Sequence, residues 1–372
     1  MRDELAKKLL AEVMGWKSPA EFVEHGLPLL AMAAYKYDDY QQFSPGMRFI
    51  ESLALWLGQF DTIEQRQASL RFVRERLVYI SSLEMNHLVC MSYPDRIRPF
   101  LLSRTATESG LNEWYLGKVA NTIEFRVRER RCLFLGLSDG ARTDVFRRGN
   151  PRLVNEQIRQ SHEMSEERVG DLKEELAKDL EKLYGRKPAD QEAVFQSVVL
   201  LDDFSASGVS YIRKKPDGTV AGKVGKFLNW LKDGSNPLST LFTMQGLEII
   251  LVLYMATETA ECVLSEGLAE LCAGSGYQSN VLVVQPLPEN LRIFRGTLPD
   301  LDALIESYYD NDNETSSTAL GGTDLRYGFA GGGLPLVLSH NTPNNSIGLL
   351  WAEGAKMLPL FPRVTRHKDI KG

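Results

Sequence analysis

Residues Val198–Leu201 are four consecutive apolar residues that run into two adjacent carboxylates, Asp202 and Asp203. After Phe204 comes a stretch of mostly small residues, Ser205, Ala206, Ser207, Gly208, Val209 and Ser210. An apolar run this short, bounded by turn-prone residues, fits a strand buried on both faces of a parallel sheet. In an open α/β sheet, ligands bind at the carboxyl ends of the strands. Small residues let the backbone approach an anion closely, and a helix starting there would add its unbonded N–H groups. Two carboxylates beside an anion cradle suit a ribose phosphate, with vicinal hydroxyls at one end and a phosphate at the other. The plain alternative is a strand-to-loop junction with solvated aspartates.

The flanking sequence supports such a sheet. Cys132–Leu137 is a second short apolar run, ending in Ser138, Asp139, Gly140, Ala141 and Arg142. A strand feeding a Gly-containing loop with an arginine makes a second candidate anion site, the alternative being an ordinary turn. Residues 151–184 are rich in charge but place Leu172, Leu176, Leu180 and Leu183 at helical spacing. Further buried-strand runs are expected at 248–255 and 280–286, with a helix between them from Glu258 to Cys272. Strands alternating with helices over 132–287 imply a parallel sheet with crossover helices. Tyr211–Ala221 carries Pro216-Asp217-Gly218 between β-prone flanks and is expected to form a protruding hairpin. Lys214, Lys215, Lys223 and Lys226 surround it as candidate phosphate contacts, although scattered lysines usually have no specific task. Gly222-Lys223 and Gly225-Lys226 lack the spacing of a Walker A loop.

The first 128 residues read as helical. Leu5, Leu9, Leu10 and Val13 follow a 3.6-residue period, as do Phe49, Leu53, Leu57 and Phe60, and Leu70, Val73, Leu77 and Ile80. Ser18-Pro19 has the N-cap and first-turn pattern of a helix start. Arg126, Arg128, Arg130 and Arg131 are either a solvated helix face or a contact for phosphate or nucleic acid. The net charge of −6 argues against broad nucleic-acid binding driven by phosphate attraction. Cys90, Cys132, Cys262 and Cys272 lie far apart and read as fillers of a reducing compartment rather than a disulfide or zinc framework. No apolar run approaches the length of a membrane span and the first residues show no signal-peptide core, so no membrane association and a cytoplasmic location are expected.

Toward the C-terminus, residues 310–333 are rich in Asp, Asn, Ser, Thr and Gly and are expected to form a mobile loop. An apolar strand, Leu334–Leu338, then leads into His340, Asn341, Thr342, Pro343, Asn344, Asn345 and Ser346. Their amides and hydroxyls offer the paired donors and acceptors that reading a nucleobase needs. Asn-Asn-Ser ahead of Ile347 also has the composition of a helix N-cap.

The stretch Val198–Ser210 resembles the phosphoribosyl-pyrophosphate (PRPP) signature of the type I phosphoribosyltransferases, with Val209 where a second glycine is common and Ser in place of Thr. Together with Tyr327, Gly328, Phe329, His340–Ser346, Leu349–Trp351 and Leu360–Arg363, it resembles the PRTase-CE proteins, phosphoribosyltransferase-like members of bacterial anti-phage systems. The resemblance implies an α/β fold, a type I phosphoribosyltransferase-like parallel sheet flanked by helices over 129–372, preceded by an all-helical region over 1–128. It implies that Asp202 and Asp203 hold the ribose hydroxyls and that Ser205–Ser210 surround the 5′-phosphate. Ser138–Arg142 would handle pyrophosphate, with Asp202, Asp203 and Arg142 the groups at the reacting centre. His340, Asn341, Thr342, Asn344 and Asn345 would contact the acceptor base. Mg²⁺ is the expected cofactor, with Asp202 or Asp139 reaching it. The expected activity is cleavage or transfer at the anomeric carbon of a PRPP-like or nucleotide ligand, with nucleic acid a possible substrate. The alternative is a non-catalytic nucleotide sensor that signals to a partner protein of a defence cassette through the helical region.

Overall fold

The computed structural model describes residues 3–215, 219–243, 245–314, 318–322, 324–355 and 357–364. Among them form the strands β1 (Val78–Ile80), β2 (Cys132–Gly136), β3 (Ile158–Arg159), β4 (Ser197–Ser205), β5 (Arg213–Lys214), β6 (Val220–Ala221), β7 (Glu248–Thr257), β8 (Gln278–Leu287) and β9 (Leu336–Leu338). The described chain gathers into two compact units, one made of residues 1–85 with 288–372 and the other of 86–287.

The unit of 86–287 holds a five-stranded sheet in the order β3-β2-β4-β7-β8, parallel throughout. The short apolar runs become strands because both sheet faces are covered. On one face Leu133, Leu135, Val198, Leu200, Ile249 and Leu251 pack with Leu172, Leu176 and Leu180 of the helix Glu166–Tyr184. Val224, Phe227 and Leu231 of the helix Lys223–Lys232 and Leu264 and Leu268 of the helix Glu258–Cys272 join the same cluster. The opposite face carries Phe134, whose ring meets Tyr93 at 6.1 Å and Phe146 at 5.2 Å. β7 is buried over its whole length, whereas β8, at the edge, is mostly partly exposed and buries only Val283 and Leu287.

The strand order fixes where a ligand can enter. From β2 the chain turns to β3 on one side of the sheet, and from β4 it turns to β7 on the other. The carboxyl ends of the adjacent β2 and β4 therefore form the switch point of the sheet, which opens a crevice between them. The loops 138–142 and 205–210 are the two that leave these ends.

The other unit interleaves the beginning and the end of the chain. β1 pairs in parallel with β9, Val78 opposite Leu336 and Ile80 opposite Leu338. Around this pair pack Tyr37, Tyr40, Phe49, Tyr79 and Phe361, with the Phe361 ring 5.1 Å from Tyr40 and 5.7 Å from Phe49. The helical reading of 1–128 holds except at β1. The expected stripe Leu70-Val73-Leu77-Ile80 breaks after Glu75, where the helix Ile63–Glu75 ends, and Val78-Tyr79-Ile80 goes extended to pair with β9. Residues of this type favour a half-buried strand once a partner is available. Ser18 does cap a helix, accepting from the N–H of Glu21 and completing a capping box.

Residues 311–331 are built of short 3-10 turns where described. The hairpin expected at 211–221 forms as β5 and β6, while its turn, Pro216-Asp217-Gly218, lies outside the described residues. No helix of the described residues is long and apolar enough to cross a membrane.

Candidate functional site

β4 delivers Asp202 and Asp203 to the switch point, and because successive strand residues face opposite ways, the two carboxyls enter different surroundings. Asp202 is 0% exposed. Its Oδ1 accepts from the Ser138 hydroxyl at 2.5 Å and from the Asp203 N–H at 3.1 Å. Its Oδ2 accepts from the ammonium of Lys223. Burial, followed by the charge of Asp203, pushes the Asp202 carboxyl up from its ordinary range, while Lys223 and Ser138 pull it back. Asp203 is half-buried and lies against Gly140, where an added Cβ would stand 2.5 Å from the carboxyl carbon. The absence of a side chain at Gly140 is what lets the two loops close on each other.

The loop after β2 is held rigidly. Ser138 opens a 3-10 turn, Asp139–Ala141, in which the Arg142 N–H donates to the Asp139 carbonyl. Arg142 then takes left-handed backbone angles, φ 44° and ψ 47°, which cost a non-glycine residue of order 1 kcal/mol or more. Tyr254, buried on β7, donates from its hydroxyl to the Ala141 carbonyl at 2.5 Å. The Arg142 guanidinium is half-buried and donates to Asn86 Oδ1 at 2.9 Å. Asp139 is exposed at the tip.

The loop after β4 is pinned from beneath. Thr257 donates to the Ala206 carbonyl at 2.7 Å while its oxygen accepts from Ala260 N–H, so one hydroxyl caps a helix and fastens the loop. Gly208 has φ +75°, and its N–H donates to Ser205 Oγ at 3.1 Å. No helix begins at this loop. Tyr211 and Ile212 N–H groups turn back to the Gly208 carbonyl, the β5–β6 hairpin intervenes, and the helix starts only at Lys223. The helix amides expected to line a phosphate are therefore not at this loop.

Lys223 is the site residue that sequence reasoning did not separate from its neighbours. Gly222 takes φ +98°, and a Cβ there would meet the Tyr211 carbonyl oxygen at 2.4 Å. Only glycine lets the chain pass so close, and that passage aims the first residue of the helix at Asp202. The Lys223 ammonium lies 4.9 Å from the centroid of the Tyr211 ring, and the Lys223 backbone N–H donates to the Ser210 carbonyl at 3.1 Å. A glycine directly before an amphipathic helix was the available signal. The other lysines are placed elsewhere: Lys214 pairs with Glu270 and Lys226 with Glu163.

The remaining candidates make contacts of their own. The arginine group is structural in its buried members. Arg130 donates to Asp179 at 2.9 Å, Arg131 to the Val194 carbonyl at 2.8 Å, and Arg128 pairs with Glu108 and Glu248. The stretch 340–345 belongs to the unit of 1–85 and 288–372. There the Thr342 hydroxyl meets Tyr40 Oη at 2.8 Å, Asn341 exchanges hydrogen bonds with Val364, and Asn345 donates to the Phe329 carbonyl at 2.9 Å. The His340 carbonyl accepts from Gln42 Nε2 at 2.7 Å, and the Asn344 carbonyl from Phe329 N–H at 2.6 Å. These bonds fasten the end of the chain. The helix Gly348–Trp351 is preceded by Ile347 without a side-chain cap, so Asn344-Asn345-Ser346 does not serve as one. All four cysteines are free.

A divalent cation fits this site only as one that arrives with a phosphate ligand. Mg²⁺ commonly binds through one or two carboxylates plus substrate phosphates and keeps several waters. Among the described residues no group of three or more His, Cys, Asp or Glu could hold a metal. Asp202 already shares its oxygens with Ser138 and Lys223, which leaves the exposed Asp139 as the more accessible of the two expected ligands.

No curated protein and no solved structure matches the chain. Residues 53–363 match the PRTase-CE family, a span that includes the whole parallel sheet, both loops and the C-terminal stretch. The chain belongs to the PRTase-CE family, with the phosphoribosyltransferase-like α/β architecture its sheet displays.

Proposed function

We propose that the crevice between β2 and β4 binds a 5-phosphorylated ribose ligand, of the PRPP or nucleotide class, and breaks or exchanges its bond at the anomeric carbon. The observation that supports this reading is the convergence of the two loops: Ser138 bonds Asp202 and Gly140 packs on Asp203, which brings the loop 138–142 against the acidic pair. In the reaction the C1–O bond breaks and pyrophosphate leaves with the electron pair, while water or an acceptor nitrogen adds to C1. Charge develops on the leaving phosphates and on an oxocarbenium-like ring, so the site needs fixed cations and donors rather than a strong nucleophile. Asp203 accepts from the sugar hydroxyls and faces the developing positive ring. Arg142, held by Asn86, meets the departing phosphates, and Ser205–Ser210 hold the 5′-phosphate. Asp139 would hold a Mg²⁺ brought with the pyrophosphate, and such an ion would supply charge neutralisation for the leaving group.

The occupation of Asp202 by Lys223 favours a second reading, binding without turnover, in which the protein senses a nucleotide for a partner within a defence system. The helical region 1–128 is then the candidate contact for that partner. Incubation with Mg²⁺ and PRPP, ATP, NAD⁺ or short nucleic acids, followed by mass spectrometry, separates the two. Pyrophosphate or a transferred ribosyl group that disappears in Asp203→Asn establishes turnover. Binding across that panel with no product supports the sensor.

A further inference from the structure

Asp202 is 0% exposed and stands next to Asp203, the acid that meets the sugar in the reading above. Of the hydrogen-bond partners of Asp202 among the described residues, Lys223 has the longest and most flexible side chain. The lysine side chain is 32% exposed, whereas the aspartate is 0% exposed, so of the two only the lysine side chain reaches the surface. The Lys223 backbone is tied to Ser210, the last residue of the anion loop, which keeps the ammonium on its flexible stem next to the loop. The Tyr211 ring beneath it offers a second favourable position for a cation.

We propose that Lys223 gates the site, its ammonium passing from Asp202 to the ligand's phosphate as the sugar hydroxyls take its place on Asp202. This rests on the ribose-phosphate reading and adds to it a rule of selection. A phosphate without a diol draws the lysine away and leaves Asp202 buried and unpaired, which is costly. A diol without a phosphate has nothing to draw the lysine with. A ligand that carries both exchanges the partners in one event, so its affinity exceeds what its two halves supply separately.

A double-mutant cycle tests the exchange, with inorganic pyrophosphate as the probe and ribose 5-phosphate run alongside. Asp202→Asn releases Lys223, and pyrophosphate binding tightens by about tenfold. In a Lys223→Gln background the same substitution changes pyrophosphate affinity by less than about twofold. A full gain that persists without the lysine assigns the effect to the general field of Asp202 and overturns the gate, as does no gain from Asp202→Asn. In the wild-type protein, the NMR signal of isotope-labelled Lys223 Nζ, assigned with Lys223→Arg, moves on addition of ribose 5-phosphate, which carries both groups, and less with pyrophosphate alone; a signal unmoved by bound ribose 5-phosphate overturns the gate without recourse to the cycle. If ribose 5-phosphate fails to bind but the cycle shows coupling, the ribose reading falls and the gate stands. If it binds without coupling, the gate falls and the ribose reading stands.

Discussion

Gly140 and Gly222 are both crowded, but a methyl group would act differently at each. The atoms facing Gly140 belong to the half-exposed Asp203 side chain, which can turn aside. Gly140→Ala is therefore expected to leave the melting temperature nearly unchanged while weakening sugar-phosphate binding by about tenfold or more, checked by calorimetric titration. The atom facing Gly222 is a backbone carbonyl, and φ there is +98°. Gly222→Ala is expected to cost about 2 kcal/mol or more in denaturant unfolding and to abolish binding, since Lys223 loses its aim. A pH dependence follows from Asp202. Burial, then Asp203, hold its carboxyl above the unfolded value, so the folded protein keeps that proton to higher pH than the unfolded chain. Stability from this group is complete below about pH 4 and declines as pH rises through the folded value. Asp202→Asn removes that decline, so the denaturant midpoint of the variant relative to the wild type is expected to rise as pH goes from about 4 to about 7.

Among the elements, the helix Lys223–Lys232 ties the site to its surroundings. Its Phe227 and Trp230 enclose His162, 7% exposed, at ring distances of 6.0 and 4.8 Å, and neither imidazole nitrogen has a hydrogen-bond partner. Burial, then Lys226, lower the His162 pKa, against a weaker opposing pull from Glu163. The unfolded chain takes up this proton first as pH falls, so stability is lost below about pH 6.5. His162→Phe is expected to flatten that part of the stability–pH curve, measured by denaturant midpoints between pH 7 and pH 5. The core strands were readable in the sequence because burial on both faces leaves an unbroken apolar run, as at Val198–Leu201 and 248–255. The extended Val78–Ile80 was not, because its partner, Leu336–Leu338, lies far along the chain and a local period cannot report it. The acidic pair and its loop stood out by residue type. Lys223 did not, because its role depends on the left-handed turn at Gly222 and on where a separate strand puts Asp202.

At the scale of the molecule, each unit has its own requirement. The unit of 86–287 contains its entire sheet and the helices that cover it, so the fragment 86–287 is expected to fold and keep the crevice. The fragment 288–372 is expected to remain unfolded alone, because β9 lacks β1 and Phe361 lacks Tyr37, Tyr40 and Phe49; circular dichroism of the two fragments checks both outcomes. The central claim is that the crevice between β2 and β4 recognises a phosphorylated ribose through its vicinal hydroxyls. Its most direct test compares ribose 5-phosphate with 2-deoxyribose 5-phosphate by calorimetric titration of the whole protein. The account predicts that the deoxy sugar binds more weakly by about tenfold, since it leaves the half-buried Asp203 carboxylate without one of its hydroxyl donors, and that Asp203→Asn reduces this difference. Equal affinities for the two sugars, or binding of neither, would contradict it.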